Sequence, residues 1–212
     1  MTPSNAAEPR WPALLTMMAA GVLHWALPER LSVGPGWLLL AIIFMLLVGI
    51  AVSYRRGDHG ITRVLTLVAN ALLTLALIAS LLLLIRGLPL HLESPKELFR
   101  AACVLWITNI IVFALWYWKL DAGGPLARDR ARGNLSSAFL FPQMTRLPGT
   151  ATGPAWSPQF LDYLFLAFNT STAFSPTDTS VLTRWAKVGM MLQALISLLI
   201  VALLAGRAVN IF

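Results

Sequence analysis

The run NTSTAFSPTDTS, Asn169 to Ser180, is the most polar stretch in an otherwise apolar C-terminal half. Its side chains, Asn169, Thr170, Ser171, Thr172, Ser175, Thr177 and Asp178, are hydroxyls, one amide and one carboxylate. Such groups do one of two things in an apolar setting. They line a wet or ion-conducting path, or they bond neighbouring helices together. Catalysis would need more: a nucleophile beside a base, or a set of metal ligands. The only pairings on offer are Ser171 with His24 and Asp162 with Asp178, and neither has a recognisable spacing. His24, His59 and His91 are scattered, and Cys103 is alone within an apolar segment. No haem, zinc or other cofactor set is expected, and no enzyme activity.

The elements that must position these residues follow from composition. The chain has 212 residues, 58% hydrophobic and 12% charged, with mean hydropathy +0.73. Soluble domains run nearer 45–50% apolar and about 25% charged. An all-α, polytopic transmembrane helix bundle is expected, with the lipid bilayer as its first partner. The formal charge of +7 does not point to nucleic acid. Basic residues cluster at segment ends, where the positive-inside rule and anionic lipid account for them, so no nucleic-acid partner is expected.

About 20 mostly apolar residues cross a bilayer core as a helix. Six segments come close: Trp11 to Leu27, Trp37 to Tyr54, Thr62 to Ile85, Leu98 to Leu120, Phe160 to Phe174 and Lys187 to Ala208. The fifth is short, and either spans or re-enters. The chain then divides into a polar tail (1–10), a four-helix part (11–120), a basic Pro/Gly-rich loop (121–157) and a helix-turn-helix (158–212). The first apolar run lacks a small-residue cleavage site and reads as a retained helix.

Lysines and arginines orient the bundle. With a cytoplasmic N-terminus and six spans, ten of the 16 fall inside and six outside. If the fifth segment dips in from the cytoplasm, Arg184 and Lys187 join Arg10, Arg55, Arg56, Arg63, Lys119, Arg128, Arg130, Arg132 and Arg146, giving eleven inside and five outside. A segment entering from outside would invert that count, against the rule.

Three helix starts share one signal: Ser94-Pro95, Ser157-Pro158 and Ser175-Pro176 each place a capping Ser before a Pro suited to the first turn. In this reading Ser175 to Asp178 starts the last helix. The basic run RDRAR reads as a solvated linker, and SSAFLFPQM as an apolar piece lying along the interface or over a helix end. Elsewhere, Asn70 with Thr66 and Thr74, Thr108 with Asn109, and Gln193 with Ser197 read as helix-to-helix contacts, at ~1 kcal/mol or less each. Asn70 is retained as a candidate because it is mid-span. In the fifth segment Asp162, Asn169, Thr172 and Ser175 fall along one side, so this helix is expected inside the bundle or beside a wet cavity.

A short helix, a Thr/Ser-rich run, an aromatic, a turn ending in Asp and a long apolar helix follow one another from Pro158 to Val209. This order resembles the two-helix potassium-channel pore module. Thr172-Ala173-Phe174-Ser175-Pro176-Thr177-Asp178 stands where that family carries T-x-x-T-V-G-Y-G-D, but Gly-Tyr-Gly is absent. Pro176 lacks the N–H and the freedom in φ that a carbonyl filter needs, so potassium selectivity is not carried over. The pieces FLFPQM, SPQFLDYLFLAFNTSTAFSPTDTS and GRAVNIF resemble an uncharacterised bacterial multi-pass membrane protein family, which implies the bacterial inner membrane. Two functions follow as expectations: a channel-like or transport-related protein with a degenerate pore-type segment, or a non-conducting structural or partner-binding protein. The first implies a homo-oligomer, because one pore module needs further copies to close a pore.

Overall fold

The computed structural model describes residues 8–87, 95–131, 136–145, 156–172 and 178–208. Among these lie seven α-helices: α1 (Trp11–Trp25), α2 (Gly36–Arg55), α3 (His59–Gly87), α4 (Pro95–Leu120), α5 (Pro125–Ala131), α6 (Phe160–Thr172) and α7 (Arg184–Ala208). Two short strands, β1 (Phe139–Leu140) and β2 (Ser180–Val181), and three 3-10 turns (Glu29–Leu31, Asp121–Gly123 and Pro142–Thr145) complete the described elements. The all-α expectation holds. Four helices are long and apolar enough to cross a membrane: Gly36–Arg55, His59–Gly87, Lys96–Gly123 and Arg184–Ala205. Helix α1 has 15 residues and α6 has 13. At about 1.5 Å per residue, α6 is about 20 Å long, against a hydrocarbon core of about 30 Å.

The chain forms two compact units, one of Met1–Ala13 with Phe113–Leu195, the other of Leu14–Val112 with Ile196–Phe212. In the second, α2 and α3 form a hairpin. The turn is held by Ser53 Oγ donating to the Asp58 carbonyl at 2.9 Å and by Thr62 Oγ1 donating to the same carbonyl at 3.0 Å. Buried residues recur along α3 at helical spacing, from Thr62 through Thr66, Ala69, Leu73, Leu77 and Leu84. Helix α2 buries only Ile43, Ile50 and Ser53 and leaves Trp37, Phe44, Met45 and Val48 outward. A helix apolar on all sides that is not covered by protein is suited to hydrocarbon.

The first unit is organised around the end of α4. The helix stops because Ala122, Gly123 and Gly124 all take positive φ. At Gly124 a Cβ would stand 2.7 Å from the Lys119 carbonyl oxygen, so only glycine fits. The chain reverses there into α5. Beyond it, β1 pairs antiparallel with β2, Phe139 opposite Val181 and Leu140 opposite Ser180. Phe139 is wholly buried. Its ring centroid lies 5.3 Å from Tyr117, 6.2 Å from Tyr163 and 5.9 Å from Trp185, all edge-to-face. Phe139 and Phe141 are therefore core, and of the two expected placements it is the one over a helix end, that of α4, that the structure has. Edge-to-face rings from α4, α6 and α7 give Phe139 a better apolar setting than a surface would.

Two capping expectations change. Helix α7 begins at Arg184, after β2, so Asp178 does not start it; Asp178 is exposed in a bend. Helix α6 begins after Pro158. There Gln159 N donates to Asp162 Oδ2 at 2.7 Å while Asp162 N donates to the Gln159 carbonyl at 3.0 Å. That reciprocal pair resembles the acid half of a capping box. Asp162 thus serves the helix start. Pro95 does begin α4 as its spacing predicts.

Candidate functional site

Two helices set the geometry of the site. The first turn of α6 and the first turn of α7 both stand against Phe139, through Tyr163 and Trp185. About two turns further on, Gln193 of α7 donates from Nε2 to the Ala167 carbonyl at 2.6 Å and to Ser171 Oγ at 2.8 Å. Helices α6 and α7 therefore start together and run in the same direction. The chain leaves α6 at Thr172 and is back beside β1 by Ser180.

The far end of α6 carries the polar run. Thr170 Oγ1 donates to the Leu166 carbonyl at 2.8 Å, Asn169 Nδ2 to Phe165 at 2.9 Å and Thr172 Oγ1 to Phe168 at 3.0 Å. Each turns back on its own helix, the usual way such side chains are tolerated in apolar surroundings. Ser171 is instead bonded by Gln193. The amide of Gln193, itself fully buried, also accepts the Tyr117 hydroxyl at 2.7 Å. Thr170 and Ser171 are buried, whereas Thr172 is exposed. The outer face of α6 is apolar over Leu161, Phe165 and Phe168, and the polar surface begins only at its end.

At the near end lies a second polar cluster. Asp121, fully buried, accepts the Tyr163 hydroxyl at 2.6 Å and the backbone N–H of Ala138. Ser137 Oγ stands 2.9 and 2.8 Å from its two carboxylate oxygens. Buried carboxylates persist where donors surround them in this way. Arg128 Nη1 donates to the carbonyls of Trp118 and Asp121, both at 3.0 Å, and its guanidinium lies 5.1 Å from the Tyr163 ring centre. Its other nitrogen, Nη2, pairs with Glu8 at 2.9 Å. Burial pushes the Glu8 carboxyl above its ordinary range, opposed by the Arg128 charge and by the bonds from Trp118 and Arg128.

Of the residues singled out by sequence, the structure brings Ser171 to Gln193 and places Asn169, Thr170 and Thr172 on the same helix end. Asp162 lies at the opposite end of α6, and Asp178 is exposed in the bend before β2. Ser175 and Thr177 lie outside the described residues. Asn70 belongs to the other unit, 1% exposed, and among the described residues nothing bonds its amide. Asp121, Glu8, Arg128 and Tyr163 were missed. Arg128 was placed in a solvated linker, yet its side chain is 5% exposed. The available signal was the pair of glycines after Asp121, which folds the basic run back over the end of α4. Among the described residues, no cluster of three His, Cys, Asp or Glu could hold a metal.

Comparisons with protein-family models, with curated proteins and with solved structures returned no match.

Proposed function

We propose that the chain is an integral membrane protein of pore-loop architecture, channel-like or transport-related, in which α6 re-enters the bilayer from the cytoplasmic side and α7 crosses it. One observation carries this reading: α6 and α7 start against the same ring and run in the same direction, so the short helix goes in and the chain comes back before the long helix begins. A 13-residue helix does not span the core, and one that starts where the next helix starts has no need to. In hydrocarbon, a chain reversal at depth is tolerated where protein buries it or water reaches it. Thr172, exposed at the end of α6, makes water the better match there.

Parity agrees. Glu8 bonds to Trp118 at the end of α4, so the tail and that end share one side of the membrane. With α2, α3 and α4 crossing, α1 must cross as well, its shortness met by local thinning. The result is five crossings and one re-entrant helix. It has the charge distribution of eleven basic residues inside and five outside. This topology has the order of the two-helix pore module with the opposite side of approach. Several copies would surround one path, with Thr172 and Asp178 at its wall and mouth.

Purified protein in liposomes is expected to pass an ion or small solute, with a rate or selectivity changed in Thr172→Val and Asp178→Asn. No flux across varied salts and potentials would sink the proposal. A non-conducting, structural role is the second reading. It is favoured by one specific observation: the back-bonded Asn169, Thr170 and Thr172 and the clamped Ser171 all have partners without water. In that case both variants leave the membrane impermeable, as the wild type does, and only stability responds to substitution.

A further inference from the structure

The cluster beneath α6 contains one residue from a distant part of the chain. Glu8 belongs to the tail before α1, yet its side chain is buried. Oε1 accepts Trp118 Nε1 at 2.6 Å, and Oε2 accepts Arg128 Nη2 at 2.9 Å. The side chains of Arg128 and Glu8 are 5% and 7% exposed. The next residue of α5 holds the tail as well. Asp129 accepts the Glu8 backbone N–H at 3.2 Å and Arg10 Nη2 at 3.2 Å.

Arg128 does three things at once. It caps two carbonyls at the end of α4, at Trp118 and Asp121, it faces the ring of Tyr163 in α6, and it neutralises Glu8. A guanidinium on a flexible stem stays in a buried position only while its counter-charge does. Removing one partner of a buried pair leaves an uncompensated charge, which is driven toward water. Tyr163 would then lose the cation beside its ring, and Asp121, which Tyr163 bonds, would lose the brace at its own carbonyl.

We propose that Glu8 is a latch: the N-terminal tail, seated on Arg128, sets the order of the start of α6, so that displacement of the tail by a competing anion or a partner loosens the re-entrant helix. The consequence for permeation rests on the pore-loop reading; the coupling between tail and α6 stands on the contacts alone. Coupling of this kind is reciprocal, so disorder introduced in α6 also frees the tail.

Hydrogen–deuterium exchange of the full chain in lipid nanodiscs tests it, comparing wild type with Glu8→Ala and Glu8→Gln. In Glu8→Ala, amides from Tyr163 to Ala167 and from Ser137 to Phe139 are expected to exchange about tenfold faster or more, the size of a lost charged hydrogen bond. Those of α2 and α3 should keep their wild-type rates. Glu8→Gln, which retains one acceptor, should fall between. Faster exchange confined to residues 8–13 would overturn the latch, and so would uniform loosening of every helix. Flux measured on the same preparations separates the two ideas. Absent flux in all three forms defeats conduction, while the exchange pattern still decides the latch.

Discussion

Replacing Gln193 with leucine removes a side chain on α7 whose amide bonds both α4 and α6. Its amide makes three bonds, to Tyr117, to the Ala167 carbonyl and to Ser171, at 2.6 to 2.8 Å. Inter-helix bonds between side chains in membrane proteins average about 0.6 kcal/mol, which gives a loss of about 2 kcal/mol for the three. The loss is not shared evenly. Ser171 can turn its hydroxyl to the Ala167 carbonyl four residues back, as Thr170 already does to Leu166. Tyr117 has no such recourse: it is 1% exposed and its hydroxyl is left without a partner. Most of the cost therefore sits on that hydroxyl, and a second substitution, Tyr117→Phe, should recover about 1 kcal/mol in the Gln193→Leu background. Tyr117→Phe alone should be destabilising. Denaturant unfolding in detergent, followed by tryptophan fluorescence, gives the four free energies of the cycle. If Gln193→Leu and the double variant are equally stable, the assignment of the loss to Tyr117 is wrong. If Gln193→Leu matches wild type, the clamp itself is.

Three further outcomes follow from single contacts. Tyr163→Phe keeps the ring beside Phe139 and Arg128 and deletes one donor to a buried carboxylate, so unfolding free energy should drop by about 1.5–3 kcal/mol; an unchanged midpoint would mean Asp121 does not depend on that bond. Gly124→Ala puts a methyl 2.7 Å from the Lys119 carbonyl oxygen at positive φ, and the expected result is loss of folded protein on size-exclusion chromatography, whereas normal yield and stability would show that the turn can relax. Asn70→Leu exchanges a buried amide that nothing among the described residues bonds for an apolar group, so stability should rise by about 1 kcal/mol; a fall would reveal a partner for the amide.

The apolar helices were legible because apolar runs and helix length are local properties. The six apolar segments coincide with α1, α2, α3, α4, α6 and α7, and four of these are long and apolar enough to cross a membrane. The polar end of α6 was legible too, as a run no capping rule explained. What the sequence did not disclose depends on contacts between residues far apart. Glu8 and Arg128 meet across 120 positions, and no periodicity reports such a pair. Asp121 looked like the first residue of a loop because its donors, Ser137, Ala138 and Tyr163, arrive from two later segments. The core position of Phe139 was not legible because its setting is made by α4, α6 and α7 together. The helix-starting cap was misplaced at Ser175 to Asp178 because Ser-Pro-x-Asp satisfies a local rule, while pairing of Ser180 and Val181 with β1 delays the helix to Arg184.

The central claim is that the chain enters and leaves α6 on one side of the membrane. Single cysteines at the exposed Ser157 and Ser180, introduced after Cys103→Ala, test it directly with a membrane-impermeant thiol reagent. Both positions are expected to react in inverted inner-membrane vesicles and to resist the reagent in intact, right-side-out cells. Reaction of Ser157→Cys from one side and Ser180→Cys from the other would mean that α6 spans the bilayer, and would contradict the account.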